Sequence, residues 1–297
     1  MARLLYRCYA KLNLTLEILG RRADGYHEVA SLVHTISLAD DLRIDSADEL
    51  LTRVEGLDID AETNLVARAA ELLASATGAR QGAELSLVKR IPAAAGLGGG
   101  SSDAATTLVG LNTLWNTRLG TKRLLEMAAQ LGSDVPFFLR GGAAAMRGRG
   151  ERLERLPPIR NQWFVILVPP HDVIDKTRRL YSALEPSDFT SGQATERALE
   201  RWQQRLPLAD DVLVNGFSRA ARTVFSGLSA TWAEAEHTCK RRFFLSGAGP
   251  ALFALARDRA DALRQVPKLG QTAFAARTVG HARAAAKFAA AGAIGYP

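Results

Sequence analysis

Pro92 to Ala105 runs P-A-A-A-G-L-G-G-G-S-S-D-A-A, and the reading of this stretch decides the fold. Gly96, Gly98, Gly99 and Gly100 fall within five residues, then Ser101, Ser102 and Asp103 lead into an apolar-periodic run. Glycines admit positive φ and let a ligand approach the main chain with no Cβ in the way, so several N–H groups can converge on one oxygen cluster. The helix that follows adds its free N–H groups and the positive end of its dipole. Ala104, Leu108, Leu111 and Trp115 give that helix one apolar face, which anchors it while its first turn stays open to phosphate. Ser101 or Ser102 is the expected cap.

The alternative reading is a flexible linker or tight turn, but a linker is rarely followed by a capped amphipathic helix. The Walker pattern G-x-x-x-x-G-K-[ST] is absent, since no lysine follows the last glycine, and the Rossmann spacing does not fit. The stretch reads as another kind of phosphate loop.

At 297 residues the chain can hold two domains, and 47% hydrophobic with 23% charged residues is a globular composition. No apolar run is long enough to span a membrane, and the N-terminus M-A-R-L-L-Y-R-C lacks a signal-peptide core, so a cytoplasmic protein with no membrane partner is expected. Cys8 and Cys239 have no metal-type spacing and read as reduced. His27, His34, His171, His237 and His281 show no i, i+4 pairing, so no metal ligand is expected from the protein. The net charge of +7 lies wholly in residues 156–297, which carry 19 basic against 12 acidic side chains, whereas residues 1–155 balance 19 with 19. These basic residues alternate with alanines rather than aromatics, which argues against nucleic acid as a partner.

Along the chain, Leu12, Leu14, Leu16 and Ile18 alternate with Asn13, Thr15 and Glu17 as in a half-buried strand. Gly20 to Gly25 carries turn chemistry, and residues 28–38 return as a strand. A helix is expected over 64–76, a strand over 83–88, the helix after the glycine loop, and another over 121–131 stopped by Gly132. Ser133-Asp134-Val135-Pro136 reads as a cap and short turn, and glycines at 141–142 and 148–150 punctuate two strands. A boundary near Leu156-Pro157-Pro158 divides residues 1–156 from 157–297. The second part reads as a strand at 163–168, helices at about 176–184, 194–205 and 211–239, then strand, turn (Ser246 to Pro250), strand, helix and strand, the end of a ferredoxin-like unit. The Ala-rich end, 282–296, reads as a loosely held basic tail.

Two residues stand out as chemistry beside a bound phosphate. Lys11 lies in the alternating strand and Asp134 in the polar elbow after Gly132. A lysine facing inward needs a partner, and an adjacent lysine favours the ionised aspartate, which can then relieve an acceptor hydroxyl of its proton. The alternatives are a lysine snorkelling from an edge strand and an aspartate that only caps a turn.

A-K-L-N-L at 10–14, G-R-R-A-D-G-Y-H-E at 20–28, G-L-G-G-G-S-S-D-A-A at 96–105, L-G-S-D-V-P-F-F at 131–138 and L-S-G-A-G-P at 245–250 together resemble the galactokinase, homoserine kinase, mevalonate kinase and phosphomevalonate kinase (GHMP) superfamily, over about residues 1–256. The resemblance implies a two-domain α+β fold, with a ribosomal-protein-like N-terminal domain that binds nucleotide and substrate, and a ferredoxin-like C-terminal domain. It implies ATP with Mg²⁺, and D-G-Y-H with G-S-D-V-P-F-F points to a cytidine-diphosphate acceptor, 4-diphosphocytidyl-2-C-methyl-D-erythritol, phosphorylated on its 2-hydroxyl. Lys11 and Asp134 are then the catalytic pair, with Asn13 orienting the acceptor. Tyr26 stacks on the cytosine, His27 hydrogen-bonds it, and Thr177 and Tyr181 form the opposite wall. Gly96, Leu97, Gly98, Gly99, Gly100, Ser101 and Ser102 wrap the phosphates, with Pro92 at the loop's entry and Asn64, Leu65, Lys89 and Asn112 around the adenosine. Gly247 and Gly249 close the site from the second domain. The chain departs from the family pattern at Tyr9, at Asp175-Lys176 where smaller residues are usual, and at Ala248 where Ser or Thr is usual. A monomer or homodimer is expected.

Three other readings follow from the same residues. A homoserine- or mevalonate-type kinase needs no base-stacking wall such as Tyr26-His27. An RNA-binding protein would use the basic second half. A nucleotide sensor without catalysis would not need both Lys11 and Asp134.

Overall fold

The computed structural model describes residues 3–56, 64–79 and 81–280. The alternation around Leu12 belongs to a long antiparallel pair, β1 (Arg3–Arg21) and β2 (His27–Ala47), running from Arg3 opposite Asp45 to Arg21 opposite His27. The register shifts between Tyr9 and Lys11 and again between Asn13 and Thr15. Such irregularities bend a strand and re-aim its side chains, and here they bracket the residues that reach the site.

There follow β3 (Leu50–Glu55), α1 (Leu65–Thr77), β4 (Gly82–Val88), α2 (Gly99–Leu114), α3 (Thr121–Leu131), the single turn α4 (Val135–Phe138), β5 (Ala143–Gly148) and β6 (Arg152–Leu156). The second half contributes β7 (Trp163–Leu167), α5 (Lys176–Ser182), α6 (Gln193–Gln203), β8 (Val214–Asn215), α7 (Ser218–Val224), α8 (Leu228–Cys239), β9 (Phe244–Leu245), β10 (Leu252–Ala256), α9 (Arg259–Gln265) and β11 (Ala273–Arg277).

The first sheet has the order β3-β4-β2-β1-β8, with β5 pairing β2 further along and β6 beside β5. Helices α1 and α2 pack on this sheet and α3 packs on them, in one core with Val66, Leu73, Leu108, Leu111 and Met127. The second sheet, β11-β7-β10-β9, is antiparallel throughout, the 4-1-3-2 order expected for a ferredoxin-like unit. A shared core joins Leu12 and Leu14 of β1 to Phe164, Ile166 and Phe253 of the second sheet.

Two expectations change. The strand at 12–18 is buried on both faces: Thr15 is wholly buried, Asn13 and Glu17 nearly so. It is central, between β2 and β8, and its polar face is satisfied internally, Thr15 Oγ1 accepting from Leu32 N at 2.8 Å and Glu17 Oε2 from Thr195 N at 2.6 Å. Residues 211–239 are not one helix. Val214–Asn215 adds to β1 as a parallel strand, and Gly227 (φ +76°) separates α7 from α8. The edge strand β3, parallel to β4, is an added element: Leu50, Thr52 and Val54 turn inward and alternate with exposed Leu51, Arg53 and Glu55. The Ala-rich basic end lies outside the described residues. Among the described residues, no helix is long and apolar enough to cross a membrane.

Candidate active site

The glycine loop feeds α2 directly, but its cap is not a serine. Gly98 occupies the N-cap at φ +73°, and Gly99 and Gly100 already belong to the helix. Ser101 and Ser102 therefore sit in the first turn. A Cβ on Gly98 would lie 2.7 Å from the Phe138 ring, and one on Gly96 (φ +86°) would lie 2.3 Å from the Ser246 carbonyl oxygen. Glycine is required at both positions by conformation and by space.

This helix start opens on a pocket of about 280 Å³ lined by Asn64, Leu65, Lys89, Pro92, Gly96, Gly98, Gly99, Gly100 and Ser101, and also by Asp103. Leu97 instead turns into the core, while its carbonyl accepts from Lys11 N at 2.8 Å. Ser102 is likewise buried. Asn112 is not brought here. It lies 13 residues beyond Gly99, about 20 Å along the helix axis at 1.5 Å per residue, and its side chain ties Leu119 N (2.8 Å) and the Thr117 hydroxyl (2.6 Å) into the turn before α3.

Lys89 is fixed beneath the loop between two buried carboxylates. Its Nζ donates to Asp40, and to Asp103 Oδ2 at 2.8 Å. Asp40 also accepts from the main-chain N–H groups of Arg90 (2.5 Å) and Ile91 (2.8 Å), which sets the path into Pro92. Burial disfavours the Lys89 charge, but Asp103 and Asp40 outweigh it and raise its pKa. Asp103 is pushed up by burial, only partly countered by Lys89, and its Oδ1 has no hydrogen-bond partner.

A larger cleft of about 1900 Å³ adjoins this pocket, and Gly96, Gly98 and Ser101 line both. Lys11 stands at the junction. It is buried, and its Nζ donates to Asn13 Oδ1 and to the Gly96 carbonyl at 2.9 Å. Asp134, ahead of α4, makes no side-chain capping bond. Its Oδ2 lies 3.7 Å from Lys11 Nζ, an ion pair too long for a hydrogen bond, and its side chain is 40% exposed to the cleft. Burial lowers the Lys11 pKa and Asp134 opposes that. Asn13 is oriented by Ser31, whose Oγ accepts from Asn13 Nδ2 at 2.8 Å.

The second domain supplies the far wall. Gly247 reaches Lys11 so closely that a Cβ there would lie 2.8 Å from Nζ. Asn215 pins this loop, its Nδ2 donating to the carbonyls of Leu245 and Gly247 at 2.9 Å each. Helix α5 brings Thr177 and Tyr181 to the cleft, opposite Tyr26 and His27. Tyr181 stacks on His27, and Phe217 meets the Tyr181 ring edge-on at 4.9 Å. Tyr26 is 56% exposed with the Arg149 guanidinium over its ring at 4.4 Å. Burial, then the Asp134 charge, pushes the Tyr181 hydroxyl up to about 12.

The sequence reading gave no role to Asp40, Asp103, Asn215 or Lys176, although Lys176 stood out as a departure from the family pattern. Asp103 had a signal, being the first charged residue after the glycines and one turn into the helix. The others act across long sequence separations and carry no local pattern.

Two glycine loops, a pocket at a helix start and a Lys–Asp pair beside it are the arrangement of a small-molecule kinase of the GHMP type. Residues 64–142 match the model of the GHMP kinases N terminal domain. The 4-diphosphocytidyl-2-C-methyl-D-erythritol kinase of Dehalococcoides mccartyi is 40% identical over 276 residues, covering 91% of this chain and 96% of that protein. A crystal structure of a 4-(cytidine 5'-diphospho)-2C-methyl-D-erythritol kinase superposes with a TM-score of 0.80 at 34% identity, over 93% of this chain and 99% of the other. The homoserine kinase of Cytophaga hutchinsonii, 18% identical with a TM-score of 0.67 over 95% of each chain, shares the fold alone. The chain belongs to the 4-diphosphocytidyl-2-C-methyl-D-erythritol kinase family.

Proposed function

We propose that the protein transfers the γ-phosphoryl group of ATP to the 2-hydroxyl of 4-diphosphocytidyl-2-C-methyl-D-erythritol, a step in non-mevalonate isoprenoid precursor synthesis. The observation that carries this reading is the Lys11–Asp134 pair, set where the phosphate pocket and the acceptor cleft meet.

Phosphoryl transfer asks the protein for positioning and charge neutralisation. Main-chain N–H groups at Gly98 to Ser101 hold the ATP phosphates at the helix start. Asn13 and Lys11 hold the acceptor hydroxyl against Asp134. As the hydroxyl oxygen bonds to the γ-phosphorus, its proton passes to Asp134. The bond from the γ-phosphorus to the bridging oxygen breaks, and its electron pair leaves with ADP. The cytosine lodges among Tyr26, His27, Thr177 and Tyr181, a wall with no purpose for homoserine or mevalonate. Mg²⁺ fits as the counterion of ATP, with the Ser101 hydroxyl as an oxygen donor lining both cavities; when bound it supplies neutralisation of phosphate charge. Residues 1–156 act as the nucleotide- and substrate-binding domain and residues 157–297 as the ferredoxin-like domain that closes over it.

ADP release is the test, with the cytidine-diphosphate acceptor, its phosphate-only analogue, mevalonate and homoserine offered in parallel. Turnover is expected with the first alone. Activity confined to mevalonate or homoserine refutes the reading, and salt-sensitive RNA binding without ADP release replaces it.

A further inference from the structure

Lys176 opens α5, half-buried, and reaches the cleft between the two glycine loops. Its Nζ donates to the Gly249 carbonyl, its one hydrogen bond among the described residues. Lys11 treats the other loop in the same way, donating to the Gly96 carbonyl at 2.9 Å. The two loops touch: the Ser246 hydroxyl donates to the Gly96 carbonyl at 3.2 Å, and a Cβ on Gly96 would lie 2.8 Å from Gly249 N. Two ammonium groups therefore flank one seam, each holding the carbonyl of one loop.

Their remaining valences differ. An ammonium has three N–H donors. Lys11 spends two on Asn13 and Gly96 and faces Asp134 with the third. Lys176 spends one, and no carboxylate lies within ion-pair distance of it among the described residues. Burial, then the neighbouring Lys11, pushes its pKa down to about 7, with Asp134 opposing. A half-buried cation beside another cation is unfavourable until an anion arrives. The anion that the seam receives is a phosphate, since the same cleft is lined by Gly96, Gly98 and Ser101. Tyr181 lies five residues further along α5, about 7.5 Å at 1.5 Å per residue, so the base slot and the seam are separate places on one helix.

We propose that Lys176 is a second catalytic cation, its ammonium contacting the non-bridging oxygens of the phosphoryl group as that group passes from ATP to the acceptor hydroxyl. This rests on the kinase reading above, and the bonds made and broken are those given there. Charge spreads over the three equatorial oxygens of the transferring group. Lys11 serves the acceptor side and Lys176 answers that charge from the second domain, so catalysis is complete only when the domains hold both lysines at the seam.

The test compares wild type, Lys176→Met and Lys176→Arg in steady-state kinetics with ATP and the cytidine-diphosphate acceptor, alongside thermal denaturation. Lys176→Met is expected to lower kcat by about 10²- to 10³-fold, the usual loss on removing one donor to developing charge. Both KM values should stay within about threefold, because the group acts in the transition state, and Tm should not fall, because burial already disfavours the Lys176 charge in the folded chain. Lys176→Arg, which keeps the charge, should recover at least about tenfold of the loss. A Lys176→Met enzyme with near-normal kcat, a defect confined to the acceptor KM, or an arginine variant no better than methionine overturns the inference while leaving the kinase reading intact. A wild-type enzyme that turns over no acceptor overturns both.

Discussion

His27 and Tyr181 stack on each other across the cleft, ring centroids 4.7 Å apart and planes 22° from parallel. One comes from the start of β2 and the other from α5 in the second half of the chain, so the stack joins the two walls of the base site. That spacing is direct ring contact and leaves no gap for a base. On the proposed function, cytosine must part the rings and take over one face. Tyr181→Ala should therefore raise the acceptor KM by about 5- to 150-fold, the equivalent of ~1–3 kcal/mol for a base–aromatic stack. The KM for ATP should not move. An unchanged acceptor KM in a folded variant removes Tyr181 from the base site.

Asp134 faces the cleft with its Oδ2 3.7 Å from Lys11 Nζ and no capping bond to satisfy. Asp134→Asn keeps the shape and loses the base. Turnover should fall by about 10²- to 10⁴-fold, the range for a general base, with ATP binding retained in calorimetry. Near-normal turnover by this variant excludes Asp134 from proton transfer.

The parts of the site legible in the sequence are those whose chemistry is local. The glycine loop, the stop at Gly132 and the elbow at Asp134 each express their conformation within a few residues, and all stand where expected, whereas Asn64, read as the first residue of its helix, is the N-cap before it. What was hidden depends on distant partners. Lys89 meets Asp40 across 49 positions, and Lys176 meets Gly249 across 73. The helical pattern over 211–239 concealed β8, because two residues pairing with β1 leave no periodicity to read. Asn112 was misplaced for the opposite reason: lying on the right helix does not put a residue at the right end of it.

The buried cluster under the glycine loop separates two carboxylates of unlike role. Asp40 is wholly buried and satisfies Arg90 N, Ile91 N and Lys89. Asp40→Asn should cost about 3–5 kcal/mol in urea denaturation, as breaking a buried pair does. Asp103 has its pKa raised by burial, so its ionisation opposes folding as pH rises above the ordinary aspartate value of 3.8. Asp103→Asn should stay within about 1 kcal/mol of wild type at pH 5 and gain relative stability at pH 8. A variant that loses ground on going from pH 5 to pH 8 contradicts this sign.

Gly98 holds φ +73° and its missing Cβ would lie 2.7 Å from the Phe138 ring and 3.1 Å from Lys11 Cγ. Gly98→Ala should impair ATP binding and turnover together, because it disturbs the helix start and Lys11 at once. Gly99→Val tests the loop from below, because a Cβ there would lie 3.0 Å from Ile91 Cγ2 and 3.2 Å from Lys89 Nζ and would push the loop off its floor. It should weaken nucleotide binding in a folded protein, and an unchanged Kd for ATP would contradict the loop assignment.

Proton uptake gives a reading of Lys176 that is independent of turnover. In the free protein its pKa is pushed down to about 7 by burial and by Lys11, against the attraction of Asp134, and the other titratable neighbour it influences is His171. At pH 8 the amine is then mostly neutral, while an ordinary lysine is fully charged. A phosphate at the seam favours the charged form and raises the pKa, so ATP binding at pH 8 should take up close to one proton. His171, itself lowered by burial, is neutral at this pH and stays so. Titration calorimetry in two buffers of different ionisation enthalpy measures the uptake. Lys176→Arg is charged before and after binding, so the uptake should fall by about the share that Lys176 supplied, leaving what Lys11 contributes. The same depression fixes the sign for stability: between about pH 7 and the ordinary lysine value of 10.5 the unfolded chain binds more protons at this position. Folding is therefore favoured as pH rises through that window. Equal proton uptake by wild type and Lys176→Arg would show that the phosphate does not reach this amine.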